Sequence, residues 1–330
     1  MNFPWEKTFN KLWDTLVTGG VGSLLRPWQT KRDGMAQLHN RAAELLVLAQ
    51  AERDAKDIRA GKKDLQVSGT RLLLTDSAAE PGRSQSELLE QVDAPLLLNA
   101  IDKRIKANLI ADEVRREVNI ARAVIQAEDA IVKDPGEPTP DPVNEDWLLV
   151  WKEHAGRVSE EHLQRLWGNV LAGEIKTPGT FSLRTMEALK SFSKKEAEQI
   201  SDAARFVIGN AIIRVPGALL KQNGLNLTAM LRLQDLGLIQ GVEAKDLKSR
   251  YQSTRKDKFF KSIRVASKEI CIEHEDPERV LALPAYMVTP LGREIVALIK
   301  PAPNDQYLAS IVQHISKLGF SAVLKDGDSL

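Results

Sequence analysis

Apolar positions in the stretch 159–184, SEEHLQRLWGNVLAGEIKTPGTFSLR, recur at the spacing of one helix face. Leu163, Leu166, Trp167, Val170 and Leu171 fall at i, i+3, i+4, i+7 and i+8. Ser159 is placed to cap this helix, with Glu160 and Glu161 in the first turn where the macrodipole favours negative charge. Gly173 and Pro178-Gly179 end it and turn the chain. Ser182 caps a second short helix over 183–191, and Ser193 with Glu196 forms a capping box that opens a third, carried by Ile200, Ala203, Ala204, Val207 and Ile208. Trp147, Leu148, Val150 and Trp151 lead into the group, so the pattern predicts a helical core over 143–224.

Two longer stripes precede it. Leu38, Ala42, Leu45, Leu46, Leu48 and Ala49 predict a helix over 31–60. Ile101, Ile105, Leu109, Ile110, Val114, Val118, Ile120, Ala121, Val124, Ile125 and Ile131 predict another from about 95 to 133. Each has one stripe to bury, which predicts a long helical hairpin over 31–133, with 62–94, rich in Gly, Ser, Asp and Pro, as a mobile loop. Four prolines in the nine residues 134–142 forbid helix and predict an extended linker and a domain boundary.

Residues 1–30 form a separate amphipathic segment. Phe3, Trp5, Phe9, Trp13 and Leu16 are spaced along one face, Gly19-Gly20-Val21-Gly22 breaks it, and Trp28 follows; three of the six tryptophans lie here. Such a face suits an in-plane membrane helix, or docking on the protein's own core or on a second copy. Its polar side (Glu6, Lys7, Asn10, Lys11, Asp14) is not strongly cationic.

In the last third, Asn226 caps a helix bearing Leu227, Met230, Leu231, Leu233 and Leu236, which ends at Gly237 before a strand at Leu238-Ile239. Ala285 to Val288 reads as another strand. Thr289 then caps, Pro290 takes the first helical position, and a helix runs to Ile299. A further helix and short strand occupy 307–324. This order over 225–330 resembles a winged helix with an enlarged wing, 241–284.

Composition narrows the chemistry. The chain has 330 residues and a net charge of +1, so attraction to a polyanion or a membrane must be local. Cys271 is the lone cysteine, which fits a reducing compartment and excludes an internal disulfide or a paired-cysteine metal site. No apolar run approaches membrane-spanning length, and the N-terminus lacks a secretory pattern. There is no phosphate-binding glycine loop, nucleophile elbow or HExxH motif. His154 and His162 are not at metal-ligand spacing, and Glu174, which flanks the Pro178-Gly179 turn with Arg184, has no nucleophile beside it. No cofactor, metal or catalytic residue is implied.

One segment has a direct functional reading. Residues 245–268 carry nine basic residues (Lys245, Lys248, Arg250, Arg255, Lys256, Lys258, Lys261, Arg264 and Lys268) against two aspartates. Cations on a strand pair can track phosphates, with Tyr251, Phe259 and Phe260 available to stack on bases. The alternatives are a protein-contact surface and a solvated hairpin.

Trp167-Gly168, LAGEIKTPGTFSLRT, LQDLGLI and VTPLGREI together resemble an uncharacterised bacterial domain-of-unknown-function family, with loose similarity to abortive-infection alpha proteins. The resemblance implies a helical core joined to a winged-helix-like part and a role in phage defence; it transfers no catalytic residue. The chain is thus read as a mainly α protein with a C-terminal α+β part, non-catalytic, and acting in the cytoplasm through protein or nucleic-acid contacts or as an oligomer. The alternative is a membrane-acting effector, peripheral to the inner membrane, that uses residues 1–30. An enzyme with an unrecognised site is third.

Overall fold

The computed structural model describes residues 5–20, 37–68, 71–76, 94–134, 136–244, 246–266 and 268–326. It is helix-rich with small antiparallel sheets, and it divides into two compact units, 1–179 and 180–330. The Pro-rich segment lies inside the first unit, so the division does not fall where proline content placed it.

The first unit contains helices α1 (Glu6–Thr18), α2 (Gln37–Arg59), α3 (Ala94–Lys133), α4 (Glu145–Gly156) and α5 (Glu161–Lys176). Helices α2 and α3 pack against each other through Ala55 and Ile58 against Ala111 and an Arg122–Glu52 ion pair of 2.7 Å. Part of the expected loop is instead a β-hairpin. Strands β1 (Lys63–Ser68) and β2 (Arg71–Asp76) pair antiparallel with Leu65 opposite Leu74. The two-residue Gly69-Thr70 spacer between them is a hairpin signal in the sequence. Residues 77–93 lie outside the described residues.

The two halves of α3 differ. Ile105 and Leu109 are exposed, whereas Val118, Ile120, Ala121, Ala123, Val124, Ile125, Ala127 and Ile131 are all buried. Buried apolar residues over more than half of the circumference, with the buried Asn119 and Glu128, mark a helix largely enclosed by neighbours. Helix α5 crosses it so closely that a Cβ on Gly168 would stand 2.8 Å from the Ala123 carbonyl oxygen and 2.8 Å from the Ala127 nitrogen. Beside this crossing, the fully buried Trp151 donates its indole N–H to the Trp167 carbonyl (2.9 Å), and Asn119 donates to the Gly156 carbonyl (2.8 Å). Ser159, expected to cap α5, lies one residue before the N-cap Glu160 and receives Asn119 instead.

The Pro-rich segment is fastened rather than free. Thr139 N–H donates to the Lys176 carbonyl (2.9 Å), Thr8 Oγ1 donates to the Gly136 carbonyl (2.7 Å), and Lys11 Nζ donates to the Thr139 carbonyl (2.9 Å). Burial pushes the Lys11 ammonium pKa down, against the opposing pull of Asp141 and Glu174.

The second unit contains α6 (Leu183–Ser191), α7 (Lys194–Ala204), α8 (Leu219–Gln222), α9 (Leu227–Asp235), α10 (Pro290–Ile299) and α11 (Asp305–Lys317). In one antiparallel sheet, β8 (Leu281–Val288) lies between β3 (Ala211–Ile213) on one side and β4 (Ile239–Gln240) on the other, and β5 (Lys248–Tyr251) pairs with its first half. A second sheet has the order β6 (Phe259–Val265), β7 (Lys268–His274), β9 (Ser321–Asp326). The core between these elements includes the fully buried Phe259, Ile212 and Tyr307, whose hydroxyl donates to the Ile213 carbonyl (2.9 Å).

Three motifs that are remote in sequence meet in this unit. Thr289 caps α10 and donates its hydroxyl to the Gly237 carbonyl (2.6 Å), while its N–H reaches the Leu238 carbonyl (3.0 Å). One turn later, a Cβ on Gly292 would stand 2.1 Å from that Leu238 oxygen. Glu294 then accepts from Ser182 N–H (2.7 Å) and Thr185 Oγ1 (2.6 Å), adding a carboxylate to the N-terminus of α6.

Gly168→Ala and Gly292→Ala should therefore each lower stability by about 1–3 kcal/mol, because close-packed backbone must move. Alanine's higher helix propensity, about 1 kcal/mol, works the other way. Thermal melts of both variants test this, and a raised midpoint in either would refute the tight crossing.

Candidate nucleic-acid interface

The basic segment starts on β5. Lys248 stands opposite Pro284, and Arg250 opposite Ala282. Opposed residues of an antiparallel pair share a face, so both point to the side of β8 that carries Tyr286. Lys248 and Arg250 are exposed; Ser249 and Tyr251, on the other face, are half-buried. Beyond β5 the chain turns through Arg255 and Lys256, both exposed, with Ser253 tying the turn: its hydroxyl donates to the Lys258 carbonyl (2.9 Å) and receives the Phe260 N–H (3.0 Å). It then enters the β6–β7 hairpin.

The hairpin sorts the remaining cations. Phe259, Lys261, Ile263 and Val265 share the core-facing side of β6. Arg264 lies on the outer side, opposite Glu269. Lys258 pairs with Glu273 at 2.9 Å, and Lys268 with Asp305 at 2.6 Å. The hydrogen bond and charge of Lys258, helped by Arg255 and Lys325, hold the Glu273 carboxyl below its ordinary range.

The nine cations proposed to track phosphates are thus not equally available. Lys258 and Lys268 are spent on carboxylates, and Lys261 is half-buried on the core side. Lys248, Arg250, Arg255 and Lys256 form the open set on β5 and the turn after it, and Arg264, also exposed, stands apart on the hairpin opposite Glu269. Lys245 lies outside the described residues. The aromatics are corrected too. Phe259 is fully buried, burial raises the Tyr251 phenol pKa, and Phe260 is covered by the Arg255 guanidinium at 4.4 Å.

Residues outside the segment complete the face. Arg214 follows β3, donates its N–H to the Pro284 carbonyl (2.7 Å) and Nη2 to the Leu247 carbonyl (3.1 Å), and lies over the Tyr286 ring at 5.4 Å. Across β8 this aligns Arg214, Pro284 and Lys248 in one row. The only signal for it in the sequence is the two-residue alternation from Ile212 to Arg214, and a three-residue strand offers too little pattern to read.

In the N-terminal segment, Leu12, Trp13 and Leu16 are buried within the chain itself, and Trp13 donates its indole N–H to the buried Glu128 (3.0 Å). Trp13 and Leu16 are therefore not on offer to a membrane or a second copy while this unit is folded. Trp5 and Phe9 are half-buried, edge to face at 5.6 Å. Phe3 and Trp28 lie outside the described residues. Among the described residues no helix is long and apolar enough to cross a membrane. Glu174 is buried and accepts the Gly179 N–H (2.6 Å), closing the turn; Arg184 is exposed.

Replacing Lys258 with alanine should let the Glu273 carboxyl titrate closer to the ordinary carboxylate range. A side-chain NMR titration checks this, and an unmoved Glu273 would show that Lys258 is free after all.

No curated protein and no solved structure matches the chain. The likeness to abortive-infection proteins finds no support. A family model does match, over residues 103–211, and the matched segment runs from within α3 to the first residue of β3. It therefore takes in the α3–α5 crossing at Gly168 and the LAGE, PG and FSLRT motifs. Over these residues the chain is similar to an uncharacterised family described as protein of unknown function (DUF2806).

Proposed function

We propose that residues 194–288 form a winged helix and that its enlarged wing binds a polyanion, with nucleic acid as the partner class. The strand order supports the fold reading: of the three strands β3, β4 and β8, the last lies between the first two, as in a winged helix. Helices α8 and α9 are joined by the four residues Asn223-Gly224-Leu225-Asn226, the length and composition of a helix-turn-helix connection. Asn226 caps α9 by accepting the Ala229 N–H.

The observation that carries the binding reading is the open cation set. Lys248 and Arg250 stand out from β5, Arg255 and Lys256 lie at the turn that follows, and no ion pair holds any of them among the described residues. Exposed cations on extended backbone suit contact with phosphates, which position a nucleic acid without reading its sequence. The exposed side of α9 offers Leu227, Thr228, Arg232 and Asp235, with Arg232 bonded to Gln199 (3.1 Å). That is a poor set for reading base edges in a major groove. Affinity on this account comes from the backbone and is indifferent to sequence.

Phosphate contacts release counterions, so affinity should fall steeply with salt, with a log–log slope of about 0.9 per phosphate neutralised on duplex DNA. Changing Lys248, Arg250, Arg255 and Lys256 together to Glu should weaken binding across all sequences and flatten that slope. Stability should hardly change, because exposed charges are worth little. Absence of binding at about 50 mM salt, where such contacts are strongest, or an unchanged slope in the variant, would overturn the proposal.

A further inference from the structure

The sheet face that carries Lys248 and Arg250 continues into a groove between the α8–α9 turn and β8. The groove is open to solvent and has a volume of about 460 Å³, within the range of small-ligand pockets. Its lining includes Arg214, Lys221, Leu220, Leu227, Thr228 and Tyr286, and no acidic residue. We infer that this groove is a binding site for single-stranded nucleic acid, with an unpaired base stacked on the Arg214–Tyr286 pair. The inference rests on the proposal that the second unit binds nucleic acid, and it names the form of nucleic acid and the residues that hold it.

Three observations point to a single strand rather than a duplex. The Arg214 guanidinium carbon lies over the Tyr286 ring, 5.4 Å from its centroid, and both guanidinium planes and aromatic faces are surfaces onto which bases stack. A duplex keeps its base faces inside the stack and presents only edges. Apolar side chains flank the pair, and Leu227 is 63% exposed at the first position of α9, where solvent gives it nothing to bury against. An unstacked base supplies that partner. The cations lie where a backbone leaving the groove would run: Lys221 on the helical side, then Lys248 and Arg250 along β5, the last two on the Tyr286 face of the sheet.

Rigidity favours the same reading. The Arg214 guanidinium is pinned by its bond to the Leu247 carbonyl, and its backbone N–H by Pro284. Tyr286 stands opposite the buried Ile212 in the middle of β8. A stacking platform on paired strands is already in place before a ligand arrives, which lowers the cost of binding.

Fluorescence anisotropy of the full-length chain with a labelled oligothymidine of about 15 nucleotides, and with a duplex of equal length, tests the inference. The single strand should bind more tightly than the duplex. Tyr286→Ala should weaken single-strand binding on the order of 10- to 100-fold, the scale of losing one stacked base, and Tyr286→Phe should leave it unchanged. Lys221→Glu, at an exposed position that leaves the core intact, should also weaken it. Duplex binding stronger than single-strand binding, or wild-type affinity in both Tyr286→Ala and Lys221→Glu, would overturn the groove while leaving the basic wing standing. Failure of every oligonucleotide to bind would overturn both.

Discussion

The second unit is organised by the contact between the N-terminus of α10 and the end of α9. Thr289 hydrogen-bonds the Gly237 and Leu238 carbonyls, and Gly292 brings the helix backbone against the same Leu238 oxygen. These carbonyls belong to the turn that ends a helix, where backbone acceptors lack intrahelical partners. A threonine cap and a glycine without a Cβ satisfy them and let α10 seat directly on the turn. That seating sets α9 relative to β8, and with it the groove at Tyr286. Glu294, further along α10, reaches the N-terminus of α6, so one helix ties the start of the unit to its sheet.

The first unit uses the same device with different partners. At Gly168, α5 meets the backbone of α3 at Ala123 and Ala127. Small residues on both sides replace the usual interdigitation of side chains with backbone contact. The tryptophans on either side, Trp151 and Trp167, fill the volume next to the crossing, and the Trp151 indole finds its acceptor on the Trp167 carbonyl. The Trp-Gly pair within the family segment is thus explained by packing, as is Glu174 at the following turn.

What the sequence made legible was whatever is decided within a few residues. The caps at Ser182, Ser193, Asn226 and Thr289 are present, and the Ser193–Glu196 capping box has both of its bonds. Helix type follows from apolar spacing for the longer helices, whereas the four-residue α8 (Leu219–Gln222) was not anticipated. What stayed hidden depends on distant partners. The four prolines of 134–142 do exclude helix, yet bonds to Thr8, Lys11 and Lys176 fasten the segment inside one unit. The count of nine cations in 245–268 said nothing of Glu273 or Asp305, which silence two of them. Arg214 joins the face only through strand pairing, and Phe259 left it because alternation along β6 turns it inward.

Electrostatics in this protein is local. In a chain of net charge +1, the segment 245–268 presents open cations along β5 and the turn after it, while the outer side of the neighbouring β6–β7 hairpin is nearly balanced by Glu269 and Glu273. On the proposed reading, a polyanion drawn to these cations is led to the Tyr286 groove rather than across the hairpin. Hydrogen exchange of the full-length chain, with and without a saturating single-stranded oligonucleotide, tests this most directly. The account predicts added protection confined to residues 214–228, 248–256 and 282–288. Protection confined to 259–274, or to the helices of the first unit, would contradict it.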